Sequence, residues 1–143
     1  MPARTAETTW TGGLEDGTGT VELVSSGLAS YEVSFPRRAA DDAGGYTSPE
    51  ELIAAAHSSC FAMQFSGLLG AAGGTSQSIQ VRAEVTLRPD PAGGLRISGS
   101  TLTVRGTADG LTQQQFASIA EDAKKSCPVS KALAGTDITL NVI

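Results

Sequence analysis

The spacing of apolar positions changes along the chain, and each change predicts a different element. From Ser78 to Arg88, Ile79, Val81, Ala83, Val85 and Leu87 alternate with mostly polar residues, the period of a strand with one covered face. PDPAGG follows, and Leu95 to Arg105 carries an imperfect alternation through Ile97, Leu102 and Val104, so the two segments read as a hairpin. Residues 6–35 read as three shorter strands, around Thr8 to Trp10, Gly19 to Ser25 and Tyr31 to Phe35, with GGLEDGTG and SSGLAS as turns. The stretch PRRAADDAGGYT, Pro36 to Thr47, reads as a loop and carries the adjacent pair Arg37 and Arg38.

A helix follows, with the clearest start signal in the sequence. Ser48 is placed to cap it, Pro49 suits the first helical position, and Glu51 completes an S-x-x-E capping box; Glu50 and Glu51 both suit the positive dipole end. ELIAAAHSSCFAMQFSGLLGAAGG is apolar on nearly every side and stops near Gly73 and Gly74, which predicts a buried central helix. His57, Ser58, Ser59, Gln64 and Ser66 interrupt it and argue against a membrane span. Thr112 is expected to cap a helix to about Lys125, with Phe116, Ile119 and Ala120 at helical spacing. Ser126 is expected to cap a short helix through Leu133, and Thr136 to Ile143 reads as a last strand. The sum is an α+β fold, an antiparallel sheet wrapped on a hydrophobic helix, in one domain spanning 1–143.

Composition narrows the class. Only 17% of residues are charged, against roughly 25% in an average soluble protein, which suggests surface covered by another copy. A net charge of −5 and a pI near 4.7 oppose nucleic acid and anionic membranes as partners. MPARTAETTW holds no apolar run of the signal-peptide kind, so a reducing cytoplasm is the expected compartment. A lasting structural disulfide is unusual there, and the two cysteines are expected to be free or cycling.

Those cysteines sit in unlike settings. Cys127, between Ser126 and Pro128 at an expected helix start, has Lys124, Lys125 and Lys131 nearby; a positive dipole end and cations favour the reactive thiolate. Cys60 lies mid-helix with no local cation, so Arg37 and Arg38 are the natural source of one. Glu50 precedes Cys60 by ten residues, close to three turns or about 15 Å of helix, too far for direct contact. Each residue has a blander reading: Cys60 as core filler, Glu50 as a helix starter, the arginines as a solvated pair. His57 and Cys60 have the spacing of a metal pair, but zinc wants three or four ligands and a packed or interface histidine fits better.

TSPEELIAAAHSSCFAM, followed some way on by SCPVSKAL, resembles the signature pair of the OsmC/Ohr family of thiol-dependent hydroperoxide reductases. TAETTWTGGLEDGTGTVELVSSGL is similar to the family's N-terminal hairpin, and His57 ahead of the cysteine favours the OsmC branch. The resemblance implies an intertwined homodimer with its active site at the interface. It implies that Cys60 is the peroxidatic cysteine and Cys127 the resolving one, with a disulfide forming between them. It assigns the catalytic arginine to Arg38, with Arg37 as the alternative, and the glutamate that holds it to Glu50. The implied function is reduction of organic hydroperoxides, and more weakly hydrogen peroxide, in defence against oxidative stress. A dithiol, lipoyl-type by the resemblance, would regenerate the enzyme, with no metal or other cofactor. An apolar pocket near Leu52, Phe61 or Met63 would favour organic substrates. The competing reading is a stress-related protein that binds a small ligand or partner on the same scaffold without turnover.

Overall fold

Strands form where the sequence alternates, and the computed structural model, which describes all of residues 1–143, divides into two compact units, Met1–Pro49 and Glu50–Ile143. In the first unit, β1 (Glu7–Thr11), β2 (Thr18–Glu22) and β3 (Ser30–Val33) form an antiparallel sheet in chain order. Trp10 pairs with Gly19 across β1 and β2. A Cβ on Gly19 would stand 2.8 Å from the indole ring, so the glycine is what lets the ring lie flat on the strand. Residues read as loop from Pro36 open instead with a single turn, α1 (Phe35–Arg38), capped by the Ser34 hydroxyl, which accepts from the Arg37 N–H at 3.3 Å. Pro36 within its first turn fits this helix, and its brevity left no periodic signal.

The second unit holds α2 (Pro49–Ala71) from Glu50 onward, then the long hairpin β4 (Thr75–Pro89) and β5 (Leu95–Asp109). In β4 the half-buried positions alternate as the sequence predicted, Ile79 through Leu87. At Gly106, φ is +154° and a Cβ would collide with the Ser78 carbonyl, next to the register shift between Thr75 and Ser78; glycine permits this bulge. α3 (Gln113–Ser126) begins with a complete capping box between Thr112 and Gln115, and α4 (Pro128–Ala132) follows at once. Ser126 does not cap α4: it ends α3, its hydroxyl donating back to the Asp122 carbonyl at 2.8 Å, and Cys127 itself takes the cap position. The last strand, β6 (Asp137–Val142), adds to β5 in parallel, so this sheet is mixed.

Within the single chain α2 is buried along one stripe. Its buried residues are Glu50, His57, Phe61, Phe65 and Leu69, and all but the first interval follow an i, i+4 stripe. That stripe packs on Leu102, Val104 and Ala108 of β5 and on Phe116, Ala120 and Ala123 of α3. On the opposite side Ala55, Ser59, Met63, Gly67 and Ala71 are exposed, Met63 by 71%. By length and composition α2 would pass for a membrane span, but Phe61, Phe65 and Leu69 are spent on this core.

Phe65 is the hub. Its ring lies 5.6 Å from Phe61 and 4.8 Å from Phe116, the latter edge-on at 70°, a geometry that adds to the apolar burial. Phe65→Ala is expected to lower unfolding stability by about 3–5 kcal/mol, the range for a buried phenylalanine, measured by urea denaturation. A loss well under 1 kcal/mol would show that the aromatic seam does not hold α2 in place.

Candidate active site

Two elements of the second unit bring the cysteines together. Cys60 is one residue short of Phe61 on α2, so it sits beside the buried stripe and is half-buried. Cys127 stands at the junction of α3 and α4, is fully buried, and belongs to the core cluster. Its N–H donates to the Ala123 carbonyl at 2.8 Å, closing α3, while its own carbonyl accepts from the Lys131 N–H at 3.0 Å, opening α4. Gln64 ties the two helices one residue before the cysteine, donating to Ser126 Oγ at 3.0 Å. The result places Cys60 Sγ and Cys127 Sγ 3.3 Å apart, sharing a hydrogen bond, both as free thiols. A disulfide needs about 2 Å, so a shift of little more than 1 Å would join them.

The environments of the two thiols differ in sign. Burial pushes the Cys127 thiol up, but the Ser130 N–H, the hydrogen bond with Cys60, the Ser130 hydroxyl and the Val129 N–H outweigh it, and its pKa falls below the ordinary value. At Cys60 burial is the largest influence and raises the pKa; the Val129 N–H opposes this, while the hydrogen bond and charge of Cys127 add to the rise. The second unit by itself therefore favours Cys127 as thiolate, through backbone and hydroxyl donors of α4 rather than the lysines that the sequence put forward.

Behind the thiols lies a polar layer that the sequence reading did not foresee. His57 is fully buried, with Nδ1 2.7 Å from Ser100 Oγ and Nε2 2.8 Å from Ser130 Oγ. Ser100 shares its face of β5 with Leu102 and Val104, and His57 stands one turn before Phe61, so both stripes turn polar at the same end of the core. Its two ring nitrogens are both engaged by serine hydroxyls. Only the three-dimensional pairing could reveal this layer, since Ser100 and Ser130 are unremarkable in sequence.

The other predicted residues fall as follows. Glu50 sits in the first turn of α2 and is 8% exposed. Arg38, in the first unit, lines a hollow of about 230 Å³ with Trp10, Leu14, Val33, Phe35 and Pro49. Arg37 turns elsewhere, its guanidinium lying against Gly44 so closely that a Cβ there would meet it at 2.6 Å. Of the residues expected to line an apolar pocket, Phe61 is part of the core and Met63 is exposed.

Residues 41–142 match the OsmC-like protein family. The chain is 39% identical over 132 residues to Peroxiredoxin OsmC of Escherichia coli, covering 92% of this chain and 90% of that protein. Among solved structures it is similar to an organic hydroperoxide resistance protein OsmC from Legionella pneumophila, at 28% identity, with a TM-score of 0.75 and 96% of each chain covered. It is also similar to the organic hydroperoxide resistance protein OhrB of Bacillus subtilis, at 27% identity and a TM-score of 0.75, over 97% of this chain and 98% of that one.

The buried imidazole has a consequence for stability. Burial lowers the His57 pKa below its ordinary 6.5, so near and below that pH the unfolded chain binds the proton that the folded chain refuses. Stability is therefore full above the unfolded value and is lost as pH falls through it. Thermal unfolding from about pH 7.5 to about pH 5.5 should show a falling midpoint, with a flatter slope in His57→Asn. Equal slopes in the two proteins would show that His57 titrates alike folded and unfolded.

Proposed function

This chain belongs to the OsmC-like family, and on that premise we propose that it is a cysteine-based peroxidase reducing organic hydroperoxides to alcohols with a thiol reductant, in defence against oxidative stress. The observation that carries the reading is a half-buried thiol 3.3 Å from a fully buried one. Access decides the order of events. Peroxide can approach Cys60, whereas Cys127, enclosed in the core, is suited to meet the sulfur beside it.

The chemistry then balances in three steps. Cys60 thiolate attacks the terminal oxygen of ROOH; an S–O bond forms, the O–O bond breaks, and the alkoxide takes a proton and leaves as ROH. Cys127 thiolate attacks the resulting sulfenic sulfur; an S–S bond forms, the S–O bond breaks, and hydroxide leaves as water on protonation. A dithiol reduces the disulfide by two exchanges and departs as its own disulfide. A lipoyl-type dithiol suits the last step, because its cyclic disulfide forms within one molecule.

Cys60 starts at a disadvantage, since its surroundings in the second unit raise its pKa. A fixed cation would offset this, and Arg38 is assigned that role, with Glu50 holding it. Guanidinium stays charged when desolvated and can donate to sulfur and peroxide together. The apolar lining beside Arg38, with Trp10, Leu14, Val33 and Phe35, suits the organic part of a hydroperoxide; Arg37, turned onto Gly44, lacks that setting. The exposed stripe of small residues on α2, with Met63 at its centre, supports a homodimer in which a second copy covers the helix. A reducing cytoplasm is the compartment that suits the cycle.

Cys60→Ser should abolish peroxide consumption; turnover that survived would remove the attacking role. Cys127→Ser should reduce one equivalent of hydroperoxide and then stall with a dithiol present, and cycling at the wild-type rate would defeat the resolving role. Arg38→Ala should slow Cys60 oxidation by about tenfold to a hundredfold, the worth of a charged hydrogen bond to the reacting atom, and more than Arg37→Ala does. The opposite ranking moves the assignment to Arg37.

A further inference from the structure

Beyond its first turn α2 carries few polar side chains besides Cys60, and each has an identified partner. Ser58 and Ser59 donate back to the helix itself, at the Ala55 carbonyl, 3.3 and 2.8 Å away. Ser66 donates to Gln77 of β4 at 2.7 Å, and His57 reaches β5 and α4. Gln64 alone turns to α3, where its Nε2 donates to Ser126 Oγ at 3.0 Å. The Ser126 O–H is itself spent on the Asp122 carbonyl at 2.8 Å, so toward Gln64 its oxygen can only accept.

This bond is next to the sulfur contact on both elements. Gln64 follows Cys60 by four residues, one turn along the same side of α2, and Ser126 directly precedes Cys127. The 3.3 Å sulfur contact and the 3.0 Å amide bond are thus neighbouring cross-links between α2 and the end of α3. Cys127 is the joint between α3 and α4. With φ −59° and ψ 124° it has left the helical region, so its side chain is aimed by the helix ends on either side. His57 holds Ser130 on the α4 side at 2.8 Å, and Gln64 holds the α3 side.

We infer that Gln64 is a positioning residue for disulfide closure: through Ser126 it sets the end of α3 so that Cys127 Sγ stands within reach of Cys60 Sγ. The role rests on the two-thiol cycle proposed above. In its closing step Cys127 attacks the Cys60 sulfenic sulfur, the S–S bond forms, the S–O bond breaks and hydroxide leaves as water on protonation. Gln64 gives no atom and no proton to that step. It acts by keeping the two sulfurs near attack distance, which raises their effective concentration. Closure from 3.3 Å needs a shift of only about 1 Å, so the bond to Ser126 can persist through it and favour the disulfide at equilibrium as well as in rate.

The test uses Gln64→Met, which keeps the length of the side chain and removes the amide, together with Ser126→Ala and Ser126→Thr. Without peroxide, equilibration against mixtures of reduced and oxidised dithiothreitol gives the reduction potential of the Cys60–Cys127 pair, read by mass spectrometry of labelled thiols. Gln64→Met and Ser126→Ala should each raise it by about 20 mV, equivalent to roughly fivefold in the closure equilibrium and the worth of one hydrogen bond. Ser126→Thr, which keeps the hydroxyl, should hold the wild-type potential. The double variant Gln64→Met/Ser126→Ala should be no worse than either single one, since both remove the same bond. After one equivalent of cumene hydroperoxide, rapid-quench mass spectrometry should show sulfenic acid forming within about twofold of the wild-type rate and the disulfide closing about fivefold more slowly. An unchanged or lowered potential in folded variants would overturn the inference, as would equal slowing of both steps or a lowered melting temperature as the sole effect. Gln64→Met decides alone if the Ser126 variants fail to fold. Wild type that forms the disulfide with oxidised dithiothreitol but not with hydroperoxide would refute the peroxidase reading, while the potentials still decide the role of Gln64.

Discussion

The contact between the thiols depends on how α2 is seated. Cys60 is positioned only because Phe61, beside it, is locked in the core with Phe65 and Leu69, and Phe65 stacks edge-on against Phe116 of α3. That aromatic seam fixes α2 against the helix whose end carries Cys127. Gln64, bonded to Ser126 at the last turn of α3, fixes the same pair of helices at the level of the sulfurs. A thiol pair at 3.3 Å is thus a product of core packing, and core packing is rigid enough to hold it, since interiors are as dense as molecular crystals.

Acidity and access pull the two cysteines apart. The donors of α4 gather on Cys127, which lowers its pKa yet leaves it buried; Cys60 is more accessible and less acidic. In a two-thiol cycle both properties have a use. In the proposed cycle the half-buried thiol would meet the oxidant and the buried one would close on it, which would shorten the life of a sulfenic acid open to further oxidation. The proposed cycle also needs a cation for Cys60, the role proposed above for Arg38.

Much of the fold was legible because it rests on periodicity. The alternation from Ile79 to Leu87 predicted the face of β4, and Thr112 marked the start of α3. What escaped was set by tertiary context. An almost uniformly apolar α2 carries no moment to say which side is buried, so one stripe and one open face could not be separated. The single turn at Phe35–Arg38 is too short for a pattern, and β6 pairs in parallel through a partner distant in sequence. In the site, the two cysteines stood out from the sequence and lie together in the structure, but the lowering of the Cys127 pKa was first attributed to lysines. His57 was read as packed, which it is, yet its serine partners are 43 and 73 residues away, beyond any local signal.

The most direct test of the thiol-pair account is to titrate the thiols of the reduced protein before and after one equivalent of an organic hydroperoxide, mapping any new bond by mass spectrometry. The account predicts that both thiols are lost together into a Cys60–Cys127 disulfide, with one alcohol formed per disulfide. Two thiols left untouched by excess hydroperoxide would contradict it.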